Sequence, residues 1–401
     1  MPIDLTPTAI TAAFQEQLAR LRTEPGFQWG REHLDTEPDG QPLVRVAVGN
    51  VPLTYDLWEG LRNPAMVGLH PAGLQEVWEF HAYRTRRKVE AAGRATIFQI
   101  PQSWEAAQQR YRRAVLVSAM LPFQPELAAE YAALAAARET TSSARFSTMY
   151  FDQYHSLDRA INRLGMALMG PGQAVVPLDK DNEVALAREA VPLTRQGDAH
   201  GPRKDGNWPQ KSLAVLLGLG QFGVHRLVFR DEVDGGEVRR FGGSVRSLVI
   251  FDAEEPITDG RADIVYPSSA WRAFLFALAD FTNADTEVNR YRFCPHIPQD
   301  GQSCSRCIAL CPSGALPNSS PTPSGRYVEG VAAQGHRFWE GRLQFDHLRC
   351  KDERDALRTI YPDWWCTRCQ AVCMTLGARN PAAAARFAVR RAELTRLPTQ
   401  P

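Results

Sequence analysis

Apolar residues return at helical intervals near the start of the chain. Ile10, Phe14, Leu18 and Leu21 form one stripe among charged neighbours, which predicts an amphipathic helix and is unlike the apolar core of a secretory leader. The pattern turns strand-like at Leu43 to Val48 and again at Arg113 to Met120, where the run RAVLVSAM predicts a buried strand. Glu126 to Arg138 is alanine-rich and predicts a helix, as does Asp152 to Leu168, with Leu157, Ile161, Leu164 and Leu168 on one face. Helices packed on a sheet are therefore expected. Gln196 to Pro209, rich in Gly, Asp, Pro and Asn, predicts a long loop of the kind that often carries function. After it come Ser212 to Leu217, the turn Gly218-Leu219-Gly220-x-x-Gly223, and strand candidates at Arg226 to Phe229 and Val245 to Phe251.

Length changes this picture first: 401 residues with a hydrophobic fraction of 44% predict at least two domains with substantial cores, and a boundary is expected near Ala284. Charge is balanced, with Lys+Arg 46 against Asp+Glu 45, so nothing global points to nucleic acid or an anionic membrane. The tail after Met374 carries Arg379, Arg386, Arg390, Arg391 and Arg396 against Glu393 alone, which reads as a solvated helix or a basic contact surface. The longest apolar run, near Ala114 to Phe123, is about half what a spanning helix needs and is broken by Ser118 and Pro122. Arg86-Arg87 lies inside the chain with no apolar segment after it, unlike a twin-arginine signal. A cytoplasmic protein without a membrane partner is expected.

The chemistry concentrates in the cysteines. All 8 lie between Cys294 and Cys373, a segregation that reads as metal ligation in a reducing compartment and not as a disulfide framework. Cys304-x-x-Cys307-x-x-x-Cys311-Pro312 is most of the bacterial ferredoxin run, in which the last cysteine reaches across to a neighbouring cluster. Cys366-x-x-Cys369-x-x-x-Cys373 repeats the spacing, and Cys294 and Cys350 stand upstream of the two groups, completing two sets of four. Crossed wiring would give one 4Fe-4S cluster Cys294, Cys304, Cys307 and Cys373, and the other Cys350, Cys366, Cys369 and Cys311. Two positions depart from the standard run: Gly301 replaces its first cysteine, and Met374 its second proline. Four-cysteine zinc sites accept the same C-x-x-C pairs, but do not call for a third cysteine four residues on or for the proline after it. Trp339, Trp364 and Trp365 would shield such a site from water, and His296 and His347 could donate to cluster sulfur.

These motifs resemble the epoxyqueuosine reductase and reductive dehalogenase superfamily. The likeness covers roughly residues 110 to 375 and is carried by Cys304 to Leu316, Phe338 to Cys373, Lys211 to His225 with its Gly-Leu-Gly-x-x-Gly element, and the helix Tyr154 to Leu164. It implies an α+β architecture: a nitroreductase-like cobalamin-binding domain over 106–284 and a two-cluster ferredoxin-like domain over 285–380. An N-terminal α/β extension, 1–105, and a basic tail, 381–401, flank them. The implied cofactors are two [4Fe-4S] clusters and a corrinoid (cobalamin), fed by an external ferredoxin or flavodoxin.

The resemblance also implies a proton donor in the pocket. Asp205 lies close to the acidic residue of epoxyqueuosine reductases, without the Asp-Ser-Ala-Pro pattern around it. Tyr150 and Tyr154 are alternatives, because dehalogenase-type members use a tyrosine with a basic partner, here Lys204 or Lys211; equally, Tyr154 could be a packed aromatic and Lys211 a solvated residue. Gly218, Gly220 and Gly223 match the dinucleotide fingerprint by letters, but a strand pattern follows where that fingerprint should open a helix, so they read as a tight turn at a cofactor wall. His225 is either a buried, hydrogen-bonded histidine or a ligand to cobalt. The expected reaction is reductive elimination on a small organic substrate, with tRNA modification and electron carriage without corrinoid as the alternatives.

Overall fold

The computed structural model describes residues 5, 7–25, 44–54, 57, 73–91, 103–136, 144–179, 208, 210–217, 219–222, 227–234, 237–255, 306–314, 326–327, 339–340, 356, 366 and 368–375. The predicted loop Gln196 to Pro209, apart from Trp208, the boundary near Ala284 and the basic tail lie outside these residues.

The amino-terminal stripe forms α1 (Pro7–Thr23), with Ile10, Phe14 and Leu21 fully buried. It packs on α5 (Ala144–Leu168), which begins eight residues before the predicted helix and buries Leu157, Ile161, Leu164 and Leu168. Burial of each such side chain contributes about 1.5–3 kcal/mol of transfer free energy. Arg163 of α5 pairs with Glu24 just past α1.

The four predicted strands join two that the sequence did not predict, β3 and β4, in an antiparallel sheet of six: β1 (Arg45–Pro52), β2 (Arg113–Pro122), β3 (Ala174–Leu178), β4 (Gln221–Phe222), β5 (Val228–Asp234) and β6 (Glu237–Asp252). Strand order is β1-β2-β6-β5-β4, with β3 also paired to β6. Every residue of β2 is buried because helices cover both faces of the sheet, which explains a near-continuous apolar run in an antiparallel strand. Val115, Val117, Ala119 and Leu121 face α1 and α5. Ala114 and Leu116 face the opposite core, built with Trp78 and Val77 of α2 (Leu74–Ala91), Phe251 of β6 and Trp208. The described parts of the first hundred residues thus share one sheet and its cores with the middle of the chain.

Two smaller helices complete this part, α3 (Trp104–Arg110), capped by Ser103, and α4 (Pro125–Ala136). Next among the described residues comes α6 (Gln210–Leu216). Its Gln210 donates to the Leu178 carbonyl and accepts from Ser247 Oγ at 2.6 Å, while Trp208 Nε1 donates to the same Ser247 at 2.8 Å. These bonds hold the start of α6 beside the end of β3. No helix among the described residues is long and apolar enough to cross a membrane.

One end of the sheet is closed by charge. Arg113 and Asp252 are cross-strand partners, and the guanidinium donates to Asp252 Oδ2 from Nε at 2.8 Å and Nη2 at 2.6 Å; each side chain is only 5% exposed. Replacing Arg113 by Leu strands the buried carboxylate and is expected to cost about 3–5 kcal/mol in urea denaturation. The double variant Arg113→Leu/Asp252→Leu should recover most of that loss.

Candidate functional site

The cysteine groups form two short helices, α7 (Arg306–Ala309) and α8 (Arg368–Thr375), which pack against each other. Cys307 lies on α7 and Cys311 just after it, where the chain turns through Gly314 at φ 65°, a left-handed conformation that glycine adopts without strain. Ser313 Oγ sits 3.4 Å from Cys311 Sγ. On α8, Cys369 and Cys373 stand one helical turn apart, and Cys366 precedes the helix. None of these five is in a disulfide; Cys307 and Cys373 are buried and the others half-buried. Cys294, Cys304 and Cys350 lie outside the described residues, and among the described residues no three His, Cys, Asp or Glu side chains converge on one ion. Between the cysteine groups, β7 (Arg326–Tyr327) pairs with β8 (Trp339–Glu340).

α8 is seated at a particular place on β6. The register with β5 ends at Gly242 and that with β3 begins at Ser247. In the interval side chains take over the pairing of backbone carbonyls. Gln370 Nε2 donates to Val228 O at 3.0 Å and to Gly243 O at 3.4 Å, and Arg246 Nη1 donates to Val245 O at 2.8 Å. Glycine is required here, since a Cβ on Gly242 would lie 2.7 Å from Gln370 Cγ and one on Gly243 2.3 Å from Leu121 O. Met374, standing where the ferredoxin run has proline, is buried with Phe123, Leu127, Tyr131, Phe146 and Met149 between α4 and α5. The helix continues to Thr375, and a proline at 374 would remove a hydrogen bond from its last turn.

Tyr131 of α4 reaches the cysteines. Burial pushes its phenol well above the ordinary tyrosine range, charge on the sulfurs of Cys366 and Cys369 pushes it further, and the positive charge of Arg368 opposes them. The phenol therefore stays protonated at neutral pH.

A second polar group lies on α5 and β6. Tyr150 and Tyr154 stack with centroids 6.2 Å apart, Arg246 lies 4.0 Å above the Tyr154 ring, and Asp158 pairs with the same guanidinium. Tyr150 also packs on Phe123, which links this group to the cluster containing Ala371 and Met374 of α8. The base over Tyr154 is thus Arg246, whereas Lys211 is exposed on α6 and Lys204 lies outside the described residues. Sequence reasoning missed Arg246; an arginine within an otherwise apolar strand was the available signal, because a buried charge needs a partner.

The glycine turn closes α6, Leu219 N donating to Ala214 O at 2.8 Å, and leads into β4, so it ends a helix and enters a strand. A Cβ on Gly220 would lie 2.6 Å from Phe229 O, so the close approach that needs this glycine is to the chain's own β5. Asp205, Gly218, Gly223 and His225 lie outside the described residues.

Because Gly242 and Gln370 share one space, Gly242→Ala is expected to lower stability by about 1–3 kcal/mol in chemical denaturation. Gln370→Ser in the same chain should relieve part of that cost. No family model, curated protein or solved structure matches this chain.

Proposed function

We propose that this chain is a two-cluster iron-sulfur reductase that delivers electrons to a corrinoid and so drives reductive elimination on a small organic substrate. The observation that carries the reading is the contact between α7 and α8, the helices that bear the two C-x-x-C-x-x-x-C runs. Crossed ligation requires such a contact, because each run's last cysteine must reach the other run's cluster. The donors fit [4Fe-4S] clusters: none of the five described cysteines is in a disulfide, two are buried, and Arg240 and Ser313 lie within hydrogen-bond distance of the sulfurs of Cys373 and Cys311. A cubane attaches each thiolate to a different iron, so it does not need the tight convergence that one zinc ion demands.

In this reading the sheet with α1 to α6 corresponds to the nitroreductase-like domain, and α7 and α8 belong to the ferredoxin-like domain. Cys294, Cys304, Cys307 and Cys373 hold one cluster, and Cys350, Cys366, Cys369 and Cys311 the other. A bound corrinoid supplies the bond-breaking chemistry. The corrinoid and the choice of a small substrate over tRNA rest on the family resemblance. An external ferredoxin or flavodoxin supplies electrons. The proton comes from Tyr154, whose ring lies beneath Arg246, since a cation at that distance stabilises the phenolate left behind. Asp158 fixes the guanidinium in place.

Metal analysis of protein purified without air from cobalamin-supplied cells tests the reading. About eight irons and one cobalt per chain are expected. Eight irons without cobalt would leave an electron carrier, and zinc without iron would exclude both. Tyr154→Phe should lower turnover of halogenated substrates by about 10²–10⁴-fold while leaving the iron content unchanged. Tight tRNA binding that weakens steeply with salt would replace the small substrate by a nucleic acid.

A further inference from the structure

Arg240 is a buried cation that the reaction above does not use. It sits on β6, in the sheet, 133 residues from Cys373, yet its Nη1 donates to Cys373 Sγ at 3.6 Å, and the residue is 5% exposed. Its guanidinium carbon lies over Phe229, 4.2 Å from the ring centroid, a contact that restrains the side chain and keeps water from that face. Cys373 is itself 7% exposed. A hydrogen bond from a positive group to a thiolate in such a setting stabilises added negative charge, because little solvent screens the interaction. Reduction of an iron-sulfur cluster adds one negative charge, and hydrogen bonds to its sulfurs are among the factors that set its potential.

From this we infer that Arg240 sets the potentials of the two clusters apart, making the one that holds Cys373 the electron acceptor of the pair. The inference rests on the iron-sulfur reading but not on the corrinoid. One electron leaves the cluster of Cys350, Cys366, Cys369 and Cys311, which is oxidised, and reduces that of Cys294, Cys304, Cys307 and Cys373. No bond or proton changes place, and a ferredoxin or flavodoxin replaces the electron. Arg240 acts through Cys373 and is a positioning residue.

Anaerobic redox titration of the cluster-loaded protein, followed by electron paramagnetic resonance, tests this directly. The unsubstituted chain should show two separate one-electron transitions. Arg240→Met, which keeps an apolar stem over Phe229 but removes the charge, should lower one of them by at least tenfold in its equilibrium constant, about 59 mV for one electron, and leave the other in place. Arg240→Gln retains an N–H donor and should shift the same transition less, and Arg240→Lys least. Unmoved potentials, or equal shifts of both, in variants that retain all their iron would overturn this proposal alone. Loss of iron in all three variants would assign Arg240 to structure and also overturn it. An unsubstituted chain that binds no iron would overturn the parent reading, and this proposal with it.

Discussion

The structure depends on satisfying the backbone of β6. From Arg240 to Asp252 every residue of this strand but Gly243 is buried, so water has little access to their N–H and C=O groups. β2 serves Gly243 to Asp252, β3 serves Ser247 to Phe251 opposite it, and β5 serves Glu237 to Gly242. The interval from Gly243 to Arg246 is completed by side chains, and Gln370 is one of them. The cysteine helix is therefore joined to the sheet by the same requirement that orders the strands. Two adjacent glycines make room for it.

Three buried arginines show a common logic. Arg113 pairs with Asp252, Arg246 with Asp158, and Arg240 with the sulfur of Cys373. Burying a guanidinium costs several kcal/mol, and the attraction returns that cost only when the partner is held in good geometry. Such pairs tolerate few alternative arrangements. Arg113 and Asp252 fix strand register, and Arg246 holds the ring face of Tyr154. Arg240 directs positive charge toward the sulfur of Cys373 from the sheet.

The regular elements were legible to different degrees. The α1 stripe and the β2 run were read nearly to their ends because local periodicity reports which side of an element is buried. α5 starts earlier than its pattern suggested, since its first two turns pack through Phe146 and Met149 against α4 and α8, partners that no local window contains. β6 extends from Glu237, although only Val245 to Phe251 had the expected apolar composition. Pairing with β5 supplies hydrogen bonds that do not depend on side-chain hydrophobicity. Gly220 was read as a wall for a cofactor, yet the close approach it permits is to Phe229, a contact made only when β4 turns back onto β5.

The sequence by itself determined the spacing of the cysteines on which the proposed cluster ligation rests, because that spacing is a local property of one or two helical turns. It also determined that Tyr150 and Tyr154 share a face of α5, since residues four apart on a helix meet. Which cation would lie on Tyr154, which would approach Cys373, and why Met374 replaces proline were decided by tertiary structure alone. Those contacts join residues 92 and 133 positions apart, or depend on a cavity shared by three helices, and no repeat in the chain encodes such distances. They exist because strand pairing along β6 brings separate stretches of sequence to one place, where buried charge then selects its partner.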